Sequence, residues 1–159
     1  MLETQTDHAD HANVKIHSPV LTLIHIAAAL LLGWLVPFPA TLPQMMEVLG
    51  VVLVLAGLAL AFMAVRQMTA ARTTVDPHGS VKTIVISGPY RFSRNPIYLG
   101  FVCVLIGFPM ALGTFWGAVL SPVLVLGLNS LVIQHEEAYL EKKFGDGYTR
   151  YKSRVRRWL

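Results

Sequence analysis

The sequence predicts an all-α integral membrane protein with about four transmembrane helices. Three observations carry that expectation. Apolar runs over residues 19–36, 45–65, 97–113 and 115–134 are each long enough to cross most of a hydrocarbon core of about 30 Å. Hydrophobic residues make up 54% of the 159-residue chain and charged residues only 14%, too apolar a balance for an ordinary water-soluble domain of this size. Finally, Lys and Arg fall in Lys15, in the 66–94 segment and in the tail, so four spans put all of them on one side.

That asymmetry explains the net charge of +4 better than nucleic-acid binding does. It predicts cytosolic termini, in what the short chain suggests is a prokaryotic inner membrane. The single cysteine, Cys103, lies in an apolar run, which excludes an internal disulfide and argues against a thiolate metal site. Residues 1–18 carry acids and histidines rather than the basic start of a cleavable signal peptide. They read as a polar N-terminal segment ahead of one domain, 19–159, and His8, His11 and His17 read as part of a solvated end rather than a metal site.

The first run begins at Pro19 and contains His25, the run's one ionisable residue. A histidine at that depth is a functional candidate, but a neutral ring bonding a neighbouring helix accounts for it. Pro37, Pro39 and Pro43 make a short stiff connection. In the second run Gly50, Gly57, Ala61 and Ala64 fall near one stripe, a spacing that lets helices approach closely.

Residues 66–87 are polar. Thr73-Thr74-Val75-Asp76-Pro77 reads as extended chain entering a turn, since the residue before Pro avoids helical angles. Lys82-Thr83-Ile84-Val85-Ile86 reads as a short β-like run along the membrane surface. It feeds Gly88-Pro89-Tyr90-Arg91-Phe92-Ser93-Arg94-Asn95-Pro96-Ile97-Tyr98-Leu99-Gly100, the most chemically dense stretch of the chain. Gly88-Pro89 is a turn signal, and Asn95-Pro96 a helix start with Asn as N-cap and Pro first in the helix. Such a start favours anions, and Arg91 and Arg94 add to that preference.

Pro109 and Gly113 separate the third and fourth runs with almost no polar linker, which predicts a tight helical hairpin. Gly100, Cys103 and Gly107 share a narrow face where another helix or a ligand can come close. Pro122 should kink the fourth helix. At its end Asn129, Ser130, Glu136 and Glu137 fall within an arc of about 120° at ideal helical spacing. That arc should face a cavity or partner; the plainer reading is two glutamates capping a helix in water. An arginine-rich corner at the same membrane level favours the cavity. The tail, with Tyr148, Tyr151, Trp158 and seven Lys or Arg residues after 138, reads as an interfacial anchor compatible with a lid.

No dinucleotide-binding glycine motif, Walker motif, zinc spacing or Ser–His–Asp arrangement is present. The residues by themselves define a ligand site at a membrane face. A non-enzymatic membrane scaffold, with the polar arc as a helix contact, remains the alternative.

Over roughly residues 73–159 the chain resembles the isoprenylcysteine carboxyl methyltransferase family, a relative of the phospholipid methyltransferases. The resemblance rests on Gly88-x-Tyr90-Arg91, on Arg94-Asn95-Pro96-x-Tyr98-x-Gly100, on Glu136-Glu137 and on Phe144-Gly145-x-x-Tyr148-x-x-Tyr151, then a basic end with Trp158-Leu159. It implies a membrane-embedded enzyme using S-adenosylmethionine, and forming S-adenosylhomocysteine, at the cytosolic face, with no metal. The acceptor it implies is lipid-like, by default a prenylcysteine carboxylate. Lys82, Thr83, Ile84, Val85, Tyr90, Asn95, Pro96, Tyr98 and Glu136 would contact the cofactor. Arg91 or Arg94 would hold its carboxylate. Direct methyl transfer needs alignment and exclusion of water, and Glu137 is the candidate for removing a proton from a thiol or amine. Two departures bear on this reading. Asn95 stands where many members have His, and Val132 stands where prenylcysteine enzymes carry a carboxylate-binding Arg. A phospholipid amine or small thiol is therefore the alternative acceptor.

Overall fold

The computed structural model describes residues 16–37, 42–74 and 81–159. His8, His11, Lys15, Pro39, Val75, Asp76, Pro77 and His78 lie outside them. Within them the chain is all-helical: α1 (Ser18–Leu35), α2 (Gln44–Ala70), a single 3₁₀ turn at Gly88–Arg91, α3 (Pro96–Ala111), α4 (Trp116–Leu128), α5 (Gln134–Phe144) and α6 (Asp146–Arg154). A π-helical segment, Asn129–Ile133, fuses α4 and α5 into one 29-residue helix.

Three helices among the described residues are long and apolar enough to cross a membrane: Ser18–Leu35, Gln44–Ala70 and Trp116–Phe144. The fourth expected span, α3, is apolar but has 16 residues, about 24 Å at the helical rise. It is sheltered instead of lipid-coated. α2 covers one side of α3, and α1 and α4 pack against it and against each other. The core joins Leu21 and Ala29 of α1, Tyr98 and Leu105 of α3, and Leu124, Leu128, Val132 and Ile133 of the long helix. Large apolar side chains such as Leu23, Leu31, Leu55 and Phe62 point outward, as lipid contact requires.

The small residues of α2 and α3 meet one another. A Cβ on Gly57 would lie 2.7 Å from the Gly100 carbonyl oxygen, and one on Gly100 would lie 2.6 Å from the Gly57 oxygen. Gly50 and Gly107 oppose each other in the same way, at 2.7 and 2.6 Å. The narrow glycine face of the third run is therefore filled by a helix. The expected hairpin forms through Gly113 at φ +81°, with Gly113 N–H donating to Met110 O and Thr114 N–H to Pro109 O. Trp116 Nε1 ties this turn to the end of α1 at Val36 O.

Several local expectations change. His25 bonds its own helix, with Nδ1 2.8 Å from Leu21 O, so no neighbouring helix is needed. α2 runs past residue 65 to Ala70, because Arg66 and Gln67 are good helix formers that keep its pattern at the membrane edge. Pro109 lies inside α3 rather than ending it. Pro122, where a kink is expected, lies inside α4. It cannot donate to the Ala118 carbonyl, and the Ser121 hydroxyl takes that acceptor at 2.8 Å. Lys82–Ile86 forms no strand, since the helical surroundings offer no sheet edge. Its neighbourhood is pinned by side chains instead: Lys82 N–H donates to Thr73 Oγ1 at 3.0 Å and Val81 N–H to Tyr139 Oη at 3.3 Å.

The polar arc is broken by the π segment. One added residue per turn shifts everything after it round the axis. Ser130 ends up exposed, bonding Leu126 O of its own helix, while Asn129 and both glutamates face protein.

Candidate functional site

The end of α2, the start of α3, the 3₁₀ turn, α5 and α6 converge at one end of the bundle. Among the described residues every Lys and Arg lies toward this end, while Glu47 marks the opposite one beside Gly113. A cavity of about 880 Å³, open mouth included, sits here.

Of the residues named from the sequence for the cofactor site, all but Lys82 and Arg91 line this cavity. Thr83, Ile84 and Val85 come from the irregular segment, Tyr90 from the 3₁₀ turn, and Arg94, Asn95, Pro96 and Tyr98 from the entry to α3. Glu136 and Glu137 come from α5. Lys82 is exposed, with its neighbours Val81 and Thr83 turned to the cavity. Arg91 is exposed as well and does not line it. Gly88 has φ +58°, the turn expected of Gly-Pro, and Tyr90 is delivered buried directly after it.

Asn95 occupies the N-cap position of α3 without capping it by its side chain. Its Nδ2 donates to Arg157 O at 3.0 Å, and its N–H donates to Ser93 Oγ at 3.1 Å. The tail has drawn the side chain away from the helix end. Ser93 Oγ also reaches Arg157 O, Arg94 N–H donates to Arg156 O, and Trp158 Nε1 donates to Asn129 Oδ1. Tyr151 Oη donates to Tyr90 O at 2.8 Å. The tail, read as an interfacial anchor compatible with a lid, is thus a strap bound across the dense stretch.

The charges form two groups. Tyr98 Oη donates to Glu136 Oε1 at 2.6 Å, a short charge-assisted bond. Glu137 is held from two directions. Arg157 takes both oxygens, Nε to Oε1 at 3.1 Å and Nη2 to Oε2 at 2.6 Å, and Arg94 Nη2 reaches Oε1 at 3.0 Å. The Arg94 and Glu137 side chains are each only 8% exposed. Hydrogen bonding to Glu137 pushes the Arg157 guanidinium above its ordinary range. Arg94 Nε and Nη1 are buried with no hydrogen-bond partner. Two orphaned cationic donors on a residue that lines a cavity are costly in a finished core and expected where a ligand anion completes them.

Sequence reasoning had no role for Arg157, and named Tyr139 and Leu140 not at all. Spacing could have found the last two: Glu136, Tyr139 and Leu140 fall at i, i+3 and i+4 on one face of α5. Tyr148 and Tyr151 share a face of α6 in the same way and stack edge to face, 6.1 Å between centroids. Arg157 has no such signal, because its contact with Glu137 arises across an irregular strap.

Fold and cavity define a helical integral membrane protein with a partly open, charged site at one end. The chain belongs to the phospholipid methyltransferase family, whose profile matches residues 45–147. It is therefore a membrane methyltransferase by family. An uncharacterized protein of Haemophilus influenzae is 43% identical over 63 residues, which is 40% of this chain and 100% of that protein. The protein-S-isoprenylcysteine O-methyltransferase of Schizosaccharomyces pombe is 38% identical over 72 residues, 45% of this chain and 30% of that enzyme. The chain thus spans less than a third of the length of that enzyme. No solved structure matches it significantly.

Proposed function

We propose that the cavity binds S-adenosylmethionine and that the protein methylates a lipid-like acceptor approaching from the bilayer. The observation that carries this reading is the pair of unmatched donors on Arg94, a residue that lines the same cavity as Glu136. A zwitterionic amino-acid group fits such a pair: its carboxylate on an unmatched Arg94 donor, its ammonium on Glu136. When bound, the cofactor supplies a methyl group activated by a sulfonium.

The chain's own residues do the rest. Arg94 and Glu136 orient the charged end, with Tyr98 fixing Glu136. Thr83, Ile84, Val85, Tyr90 and Pro96 supply apolar wall. Tyr148 and Tyr151, under the strap, limit water. Glu137 acts by position: its oxygens are committed to two guanidinium groups, which suits a clamp better than a general base. The domain would comprise residues 19–159, with the site at the cytosolic face.

For the acceptor, Val132 supports one reading over the other. It is a buried valine, and no cation stands at that position, one turn before the glutamates, to take a substrate carboxylate. That favours a phospholipid amine or a hydrophobic thiol over a prenylcysteine carboxylate. Titration calorimetry of the detergent-solubilised chain with S-adenosylhomocysteine tests the site. Saturable heat is expected, with affinity strongly reduced by Arg94→Ala and by Glu136→Ala. No heat from the unaltered chain would leave a scaffold. Incubation with methyl-labelled cofactor, then thin-layer separation of lipids beside a prenylcysteine analogue, distinguishes the acceptors.

A further inference from the structure

We infer that Arg157 is the positioning residue of this site, engaging Glu137 so that Arg94 keeps two donors for the ligand. The inference rests on the reading that the cavity takes a cofactor carboxylate. Arg157 does not line the cavity. It also lies beyond residue 147, outside the stretch that the family profile matches.

The argument is one of competition for two oxygens. A guanidinium beside a free carboxylate prefers the two-bond fork. Arg157 occupies that fork, through Nε and Nη2, and leaves Arg94 a single bond through Nη2 to Oε1. Without the Arg157 guanidinium, Oε2 becomes available to Arg94. The buried Arg94 would then rotate to satisfy its own orphaned donors on Glu137, leaving fewer of them for the ligand. The main chain of the strap does not depend on that side chain. Its bonds to Ser93, Asn95 and Arg94 use the carbonyl oxygens of Arg157 and Arg156. A substitution at Arg157 therefore addresses the guanidinium while leaving those bonds in place.

The test uses the full chain in detergent and two ligands, S-adenosylhomocysteine and methylthioadenosine. They share the thioether nucleoside, but only the first has an amino-acid carboxylate. Arg157→Ala should weaken S-adenosylhomocysteine by about tenfold or more, as loss of a charge-assisted bond implies, and leave methylthioadenosine unchanged. Arg157→Lys should recover part of the loss, since an ammonium neutralises Glu137 without forming the fork. In an Arg94→Ala background Arg157→Ala should add nothing further. Trp158→Phe, which removes another bond of the same strap, should spare both affinities. Unchanged S-adenosylhomocysteine affinity in Arg157→Ala, equal loss of both ligands, additivity with Arg94→Ala, or the same loss in Trp158→Phe would each overturn the assignment. If Arg157→Ala does not fold, Arg157→Lys carries the comparison, a selective loss supporting it and an unselective or absent one refuting it. Failure of the unaltered chain to bind S-adenosylhomocysteine would instead refute the reading of the cavity, and this inference with it.

Discussion

Arg157 takes both carboxylate oxygens of Glu137, at 3.1 and 2.6 Å, from a position 20 residues further along the chain. Arg94 meets the same carboxylate from the entry to α3. One buried anion therefore joins three pieces of chain: the dense stretch before the hairpin, the helix leaving it, and the tail. The same contacts leave Arg94 under-satisfied, which gives the cavity its polarity.

The first prediction concerns Glu137. Removing one member of a buried ion pair leaves charge uncompensated and typically costs about 3–5 kcal/mol. Glu137→Ala should lower the melting temperature in detergent markedly and abolish S-adenosylhomocysteine binding. Glu137→Gln should also lose stability and binding, because the amide can accept from one arginine but presents an N–H₂ to the other. A Glu137→Gln protein that binds with native stability but does not turn over would mark Glu137 as a base after all.

Tyr98 gives a finer prediction. Its bond to Glu136 is of the kind worth about 1.5–3 kcal/mol, since the acceptor is charged. Tyr98→Phe keeps the ring that packs in the core and removes only the donor. Affinity for S-adenosylhomocysteine should fall by about tenfold as Glu136 loses its orientation. Calorimetry beside Glu136→Gln checks this: both should be impaired, and an unimpaired Tyr98→Phe would mean that Glu136 is oriented by something else.

The helices were legible because hydrophobic run length is a strong local signal, and the α2–α3 contact because glycines recurred on both partners. The cavity wall was legible at Arg94, Asn95 and Glu136 because polar residues beside an apolar run need a reason. Lys82–Ile86 misled, because β-branched content describes what a segment prefers, and no sheet existed to receive it. Ser130 misled because one residue in a π segment overturns a 100° periodicity that the letters cannot reveal. Asn95 kept its place but changed its partner, since a tail more than 60 residues away competes for its amide. The contacts that escaped the sequence all depend on where the strap lies.

Close packing of α2 on α3 supplies a third prediction. Gly57→Ala would put a methyl group 2.7 Å from the Gly100 carbonyl oxygen and from Cys103 Cβ, neither of which can yield without moving a helix. Overpacking of this sort costs about 1–3 kcal/mol. Gly127→Ala is the control, because its new atom meets only the flexible Leu21 Cδ2 at 3.3 Å. The fraction of protein surviving heating in detergent should drop for the first and hold for the second. Equal survival would mean that α2 and α3 are not pressed together as described.

The final prediction is alkaline release of the strap. Burial pushes the Tyr151 phenol up to about 12 from an ordinary 10.0, against a smaller opposing pull from the Arg94 charge. Burial raises Tyr90 and Tyr148 as well. A folded-state pKa above the unfolded value means that the folded chain holds the proton more tightly. The stabilisation is therefore complete below about pH 10 and is lost as pH rises through about 12. The proton concerned is the one Tyr151 donates to Tyr90 O, so its loss breaks a bond between α6 and the dense stretch. Tyrosinate absorbance should rise late, toward pH 12 rather than at 10, together with loss of S-adenosylhomocysteine binding. Tyr151→Phe should bind more weakly at neutral pH and show a smaller late phase. If all tyrosines titrate near 10 while the fold stays intact, α6 is not closed over the cavity through this bond.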